Sequence, residues 1–160
     1  MRAFIGSAFL ATAVILAVPQ AAVAKPAPSA LNGTWKLDPA ASKFTGPAMK
    51  SETRTYEVTG NKVKMKATGI DASGKPIKFS YSAAYDGKFY PMVGNPVGDS
   101  ISLKRIDARN VEATVKKGKA VSAYAKTAVS SDGQHLTLTR KMLKGKAAPA
   151  VDSLSYVKQH

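Results

Sequence analysis

The sequence predicts an all-β chain, an antiparallel up-and-down meander of about 8–10 strands closed into a barrel. Three observations carry this reading. Apolar and polar residues alternate with a period of two over many short stretches, the mark of strands buried on one face. Turn signals recur roughly every 10–14 residues, with no helical-period segment after residue 24. The connections are short, which favours pairing of sequence neighbours. An open sandwich also fits this pattern. Closure is preferred because it removes the unpaired edges that invite aggregation.

The first pattern runs from Leu31 through Gly33-Thr34-Trp35-Lys36-Leu37, and Asp38-Pro39 is expected to break it. A single turn is expected over residues 40–43, and Gly46-Pro47 marks a loop. In residues 52–59, Tyr56 and Val58 share one face against Thr55 and Glu57. After the Gly60-Asn61 turn, Val63, Met65 and Ala67 alternate with Lys62, Lys64 and Lys66. A helix would place Lys62 and Lys66 beside Val63, so this stretch is a strand. Beyond a turn over residues 71–75, Ile77, Phe79, Tyr81, Ala83 and Tyr85 form the longest inward row.

Asp86-Gly87 follows at once and suits a two-residue hairpin loop, giving both residues a structural role. The strand over residues 88–93 is limited by Pro91, which has no N–H for a ladder and indicates an edge or bulge. With the loop over residues 94–98, this is where a rim or gap should open, setting Tyr85 and Tyr90 near its entrance.

Ile101 and Leu103 point inward in the next strand, and Ile106 falls out of phase, marking a bulge or strand end. Val111, Ala113 and Val115 form the following row, and Lys117-Gly118-Lys119 turns the chain. Val121, Ala123, Ala125, Thr127 and Val129 follow, then a turn at Ser131-Asp132-Gly133. Leu136, Leu138, Arg140 and Met142 share the next face, and a loop over residues 144–150 leads to Leu154 and Tyr156.

Residues 1–24 read as a signal peptide. Met1-Arg2 precedes an apolar stretch to Val18, and Ala22-Val23-Ala24 is a small-x-small site with cleavage expected after Ala24. The stretch is interrupted by Gly6, Ser7 and Thr12 and is short for a membrane span, so no transmembrane segment is expected after cleavage. Residues 25–30, with Pro26 and Pro28, form a linker, and residues 31–160 the barrel domain. The expected location is the periplasm or the exterior of a bacterium. No cysteine is present, which excludes disulfides, thiol chemistry and lipid attachment through cysteine.

The chain holds 24 Lys+Arg and 10 Asp+Glu, and Arg2 alone of these lies in the leader, leaving 23 against 10. Such charge favours anionic partners, here envelope polymers or lipid headgroups. The plainer and preferred reading is a solvated basic surface that keeps the protein soluble. The lysines are spread over nearly every strand and not massed in one groove, so nucleic acid is not expected.

Chemistry has little to stand on. His135 sits at a turn and His160 is the last residue; Asp38, Asp71, Asp86, Asp107 and Asp132 all lie beside turns, where they bond their own backbone. No metal-ligand spacing, nucleophile elbow or phosphate loop occurs, so neither an enzyme nor a cofactor is expected. A binding cavity has more support. Tyr56, Met65, Phe79, Tyr81, Tyr85 and Tyr90 offer apolar walls with phenol groups, and the small Ala113, Ala123, Ala125 and Thr127 leave space inside. The same residues suit a solid core, and interior volume separates the two. Arg140, on an apolar face, needs a partner: Trp35, or the acidic head of a ligand.

Gly33-Thr34-Trp35 resembles the opening of the lipocalins, and Gly33-Thr34-Trp35-Lys36 looks like the start of the intracellular fatty-acid-binding proteins. Both are meander barrels around small apolar ligands, so the resemblance implies a lipocalin-like barrel with Gly33 and Trp35 as structural residues. It also implies that Arg140 lies across Trp35 at the closed end. The Thr-Asp-Tyr of the lipocalins is absent, and there is no room for the lid helices of the fatty-acid-binding proteins. Residues Trp35 to Ala40 are also similar to the opening of the exported YceI-like barrels linked to polyisoprenoid binding, which have His-Ser where this chain has Ala41-Ser42. More broadly the chain resembles small exported bacterial proteins of unassigned function.

Overall fold

The computed structural model describes residues 29–160. The expected leader (1–24) and residues 25–28 of the expected linker lie outside the described residues. Ten strands follow in order: β1 (Gly33–Lys43), β2 (Ser51–Thr59), β3 (Lys62–Ile70), β4 (Pro76–Ala84), β5 (Phe89–Val93), β6 (Ser100–Arg105), β7 (Asn110–Lys117), β8 (Ala120–Val129), β9 (His135–Lys144) and β10 (Ala147–Gln159). Each pairs antiparallel with its sequence neighbours, and β1 pairs with β10, so the meander closes into a barrel. The ladders are continuous where alternation was clearest: β3 pairs with β2 from Lys62↔Thr59 to Ile70↔Ser51, placing Val63, Met65 and Ala67 inside and the lysines outside.

Several local expectations are corrected. β1 does not end at Asp38-Pro39 but continues to Lys43 across a bulge, pairing Asp38 with Ser155 and Lys43 with Ser153. The turn chemistry of Asp38 survives inside that bulge: its carboxylate accepts from the Ala40 and Ala41 amides at 3.0 and 3.2 Å. The loop expected over residues 144–150 is instead a tight turn, because β10 begins at Ala147. β6 does end at Arg105, just before the out-of-phase Ile106.

Asp86-Gly87 is not a two-residue hairpin loop. β4 and β5 share only the pairs Ser80↔Val93 and Tyr81↔Met92, so residues 82–91 span a gap in the wall. Gly87 turns away and donates to Leu103 O on β6 at 3.1 Å. Pro91 supplies the reason. The Met92 amide donates toward β6 at Asp99 O, 2.8 Å, and strand alternation turns the Pro91 nitrogen toward β4, where it has no hydrogen to give.

The two barrel ends differ. At one, residues 29–32 cross the opening: Ala30 N donates to Ala108 O at 3.1 Å, and Leu31 O accepts from the Trp35 indole at 2.9 Å. Leu31 and Trp35 are buried there and form the floor. The other end is bordered by the β1–β2, β3–β4 and β5–β6 loops and the tight turns after β7 and β9, and forms the mouth.

Candidate functional site

The barrel is hollow. A cavity of about 480 Å³ runs from Leu31 at the floor to Pro47, Met49, Ala72 and Pro96 at the mouth, within the usual range for small-molecule sites. Ala113, Ala123, Ala125 and Thr127 line it on β7 and β8, as their small size suggests. Ile77 and Phe79 of β4, with Leu103, Leu138 and Met142, complete an apolar wall.

Of the residues singled out from the sequence, the fold brings Tyr56, Phe79, Tyr81, Tyr85 and Arg140 to the cavity. Met65 and Tyr90 do not line it. Met65 stands in the ladder between Tyr56 and Tyr81, is fully buried, and leaves the wall to those longer side chains. Tyr90 packs against the core, and its hydroxyl bonds Asp86 Oδ2 at 2.8 Å in an exposed contact. Tyr85 lies near the floor, since its amide donates to Asn61 O of the β2–β3 turn at 2.9 Å. The entrance expected beside Tyr85 and Tyr90 is therefore at the other end, where Asn95 and Pro96 of the β5–β6 loop sit.

Arg140 does not meet Trp35. It pairs across the β9–β10 ladder with Asp152, donating from Nε and Nη2 to Oδ2 at 2.9 Å. The cation near Trp35 is Lys158, its ladder partner, with Nζ 5.3 Å from the ring centroid. Gly33 and Trp35 do stand in β1.

The polar heart of the cavity escaped the sequence reading. Glu52, Arg54 and Tyr56 occupy successive inward positions of β2, and all three are buried. Arg54 Nε donates to Glu52 Oε1, the Tyr156 hydroxyl donates to the same oxygen at 3.0 Å, and Arg54 Nη1 reaches Tyr56 Oη at 3.5 Å. The Arg54 guanidinium also lies over the rings of Phe79 and Tyr156, 5.4 and 5.5 Å from their centroids. Burial alone would lower the Arg54 pKa. The charge of Glu52, with lesser effects of Tyr156 and Tyr56, outweighs it and holds the pKa well above the ordinary value. The signal was available: Glu52 and Arg54 share the parity of Tyr56 and Val58.

Burial, with a smaller effect of Tyr56, raises the Tyr81 pKa well above that of a free phenol. Tyr81 is surrounded by protein yet keeps accessible surface, which is that of the cavity. At Tyr85, burial raises the pKa against the opposing charge of Arg105. Arg105 stacks on the Tyr85 ring at 4.1 Å, and among the described residues neither Tyr85 Oη nor Arg105 Nε has a hydrogen-bond partner.

No protein-family model matches this sequence, and no match is found among curated proteins. Solved structures do match. The structure of zebrafish ileal bile acid-binding protein complexed with cholic acid aligns with a TM-score of 0.57 over 82% of this chain and 100% of that chain, at 14% identity. EF1p2_mFAP2b bound to DFHBI aligns with a TM-score of 0.50 over 81% of this chain and 94% of its own, at 11% identity. Lobster apocrustacyanin A1 gives 0.44 over 81% and 61%, at 16% identity. The likeness is one of fold alone, a closed antiparallel meander barrel of the kind the opening residues suggested.

Proposed function

We propose that this chain is an exported, non-enzymatic binding protein that carries or senses a small apolar or amphiphilic molecule inside its barrel. The observation that carries the reading is the hollow interior, an apolar cavity of about 480 Å³ with a polar cluster at its side. A well-packed core of this size would leave no such void. The match to a barrel complexed with cholic acid supports a cavity of this kind serving a ligand. Native mass spectrometry and lipid extraction of purified protein test it. A co-purified or competable ligand is expected; none across a broad lipid panel would overturn the reading. Export is tested separately by the N-terminus of the mature protein, expected at Lys25.

A second reading, docking on anionic lipid headgroups, is favoured by the charge of the mouth. Exposed lysines stand at the end of β1 (Lys43), on the β1–β2 connection (Lys50), before β4 (Lys75), and at the turns after β7 (Lys117, Lys119) and β9 (Lys144, Lys146). The floor loops carry Asp86, Asp107 and Asp132 against Lys88 and Arg109. Binding to anionic phospholipid vesicles that falls steeply with salt is expected. Equal binding to neutral vesicles, or binding indifferent to salt, would exclude it.

A further inference from the structure

We infer that the cavity selects a molecule whose polar group is uncharged, a hydroxyl, ester or carbonyl held by the Tyr81 hydroxyl, and discriminates against a carboxylate. This rests on the ligand-binding reading above and deepens it.

The argument begins with the charges that line the cavity. The two guanidiniums there, Arg54 and Arg140, are each already matched by a carboxylate of the protein, Glu52 and Asp152. The other lining acid, Asp71, sits at the mouth and accepts within its own loop from Ser73 and Lys75. A carboxylate entering this interior would bring an unmatched negative charge beside Glu52, with its hydration lost and no unmatched cation among the described lining residues to replace it. The interior is thus closed to anions by balance, though it contains two arginines.

What the cavity does leave open is neutral hydrogen bonding. Among the described residues no protein group bonds the Tyr81 hydroxyl, although the side chain borders the cavity on β4. Its neighbours across the β3–β4 ladder and beyond are Met65 and Tyr56, and Tyr56 Oη is already met by Arg54. A phenol in such surroundings stays protonated, so it can donate to an ester or carbonyl oxygen and both donate to and accept from an alcohol. Such a partner satisfies the Tyr81 hydroxyl without adding charge. The remaining wall is aliphatic and aromatic and suits the rest of an apolar molecule.

The test is competition on the full chain. N-phenyl-1-naphthylamine, a neutral probe that brightens in apolar sites, is displaced in turn by dodecanol, methyl dodecanoate and dodecanoate, at a pH where the acid is ionised. Dodecanol and the ester are expected to compete at concentrations about tenfold or more below the carboxylate, the scale of one charge left without a partner in a buried site. Tyr81→Phe, read relative to that variant's own affinity for the probe, should weaken dodecanol about three- to tenfold. Glu52→Gln, which frees the Arg54 charge, should narrow or reverse the preference. Equal or better competition by dodecanoate on the unmodified chain would overturn the inference and leave the cavity a binding site. So would Tyr81→Phe binding dodecanol as well as the parent does. Failure of the probe and of every competitor to enter would overturn the ligand-binding reading itself.

Discussion

The Tyr156 hydroxyl donates to Glu52 Oε1 at 3.0 Å, joining β10 to β2 across the intervening β1. The bond closes a buried chain from Tyr156 through Glu52 to Arg54, placed at the seam where the first and last strands complete the barrel. A polar network at this position is costly when broken, since each member is buried and satisfied by the others. It also marks one register of β2 against its neighbours, because a shift by one residue would turn the pair outward.

Removing one member of this pair should therefore cost more than removing both. Arg54→Leu leaves Glu52 without its cation and is expected to destabilise by about 3–5 kcal/mol. The Glu52→Leu, Arg54→Leu double variant should recover most of that loss, and Tyr156→Phe alone should cost about 1–3 kcal/mol. Urea unfolding of the parent, Glu52→Leu, Arg54→Leu and the double variant measures the cycle; an additive double variant would show that the two side chains do not act as a pair.

Asp152 gives stability a defined dependence on acid. Burial opposes its charge, but the Thr45 amide at 2.8 Å and Arg140 lower its pKa below the ordinary 3.8. A depressed carboxyl contributes stability that is present above the unfolded-state value and lost as pH falls through the folded-state value. The loss thus lies below pH 3.8. Asp152→Asn should be less stable than the parent at neutral pH, and the difference should shrink as the solution is acidified below that value. Thermal unfolding at a series of pH values checks it.

Gly94 has φ +79°, and a Cβ there would stand 2.3 Å from Lys78 O. Both the left-handed backbone and the close approach of β4 require glycine. Gly94→Ala is expected to cost at least about 2 kcal/mol and to loosen the mouth. Denaturant midpoints measure the first effect, and dissociation of a cavity probe the second.

The gap between β4 and β5 should be the soft part of the wall. β4 amides beyond Tyr81 that point toward β5 have no ladder partner, and hydrogen exchange there is expected to be faster than on β3 or β9. Arg105 on the Tyr85 ring spans this gap from β6. Arg105→Ala should speed exchange over residues 82–91 by about two- to fivefold, the scale of one such contact.

Much of this architecture could be read residue by residue. The lysine and valine alternation of β3 left one possible register of faces, and the small residues of β7 and β8 announced a hollow interior. The roles of Met65, Tyr90 and Arg140 could not be read, because parity says which face a side chain takes but not which neighbour covers it. Glu52 and Arg54 were legible by parity alone, yet charged residues at inward positions become credible only once each is seen to satisfy the other.

By itself the sequence determined the class of the fold, the order of its strands and the faces they bury, because these follow from a period of two, turn chemistry and short connections. Only the tertiary structure decided that Lys158 lies near Trp35, that Arg140 belongs to Asp152, and that the opening lies opposite Tyr85. The Arg140–Asp152 pair depends on the register of the β9–β10 ladder, and the approach of Lys158 to Trp35 on closure of β1 against β10, which brings together residues more than a hundred positions apart. No local pattern encodes such a distance.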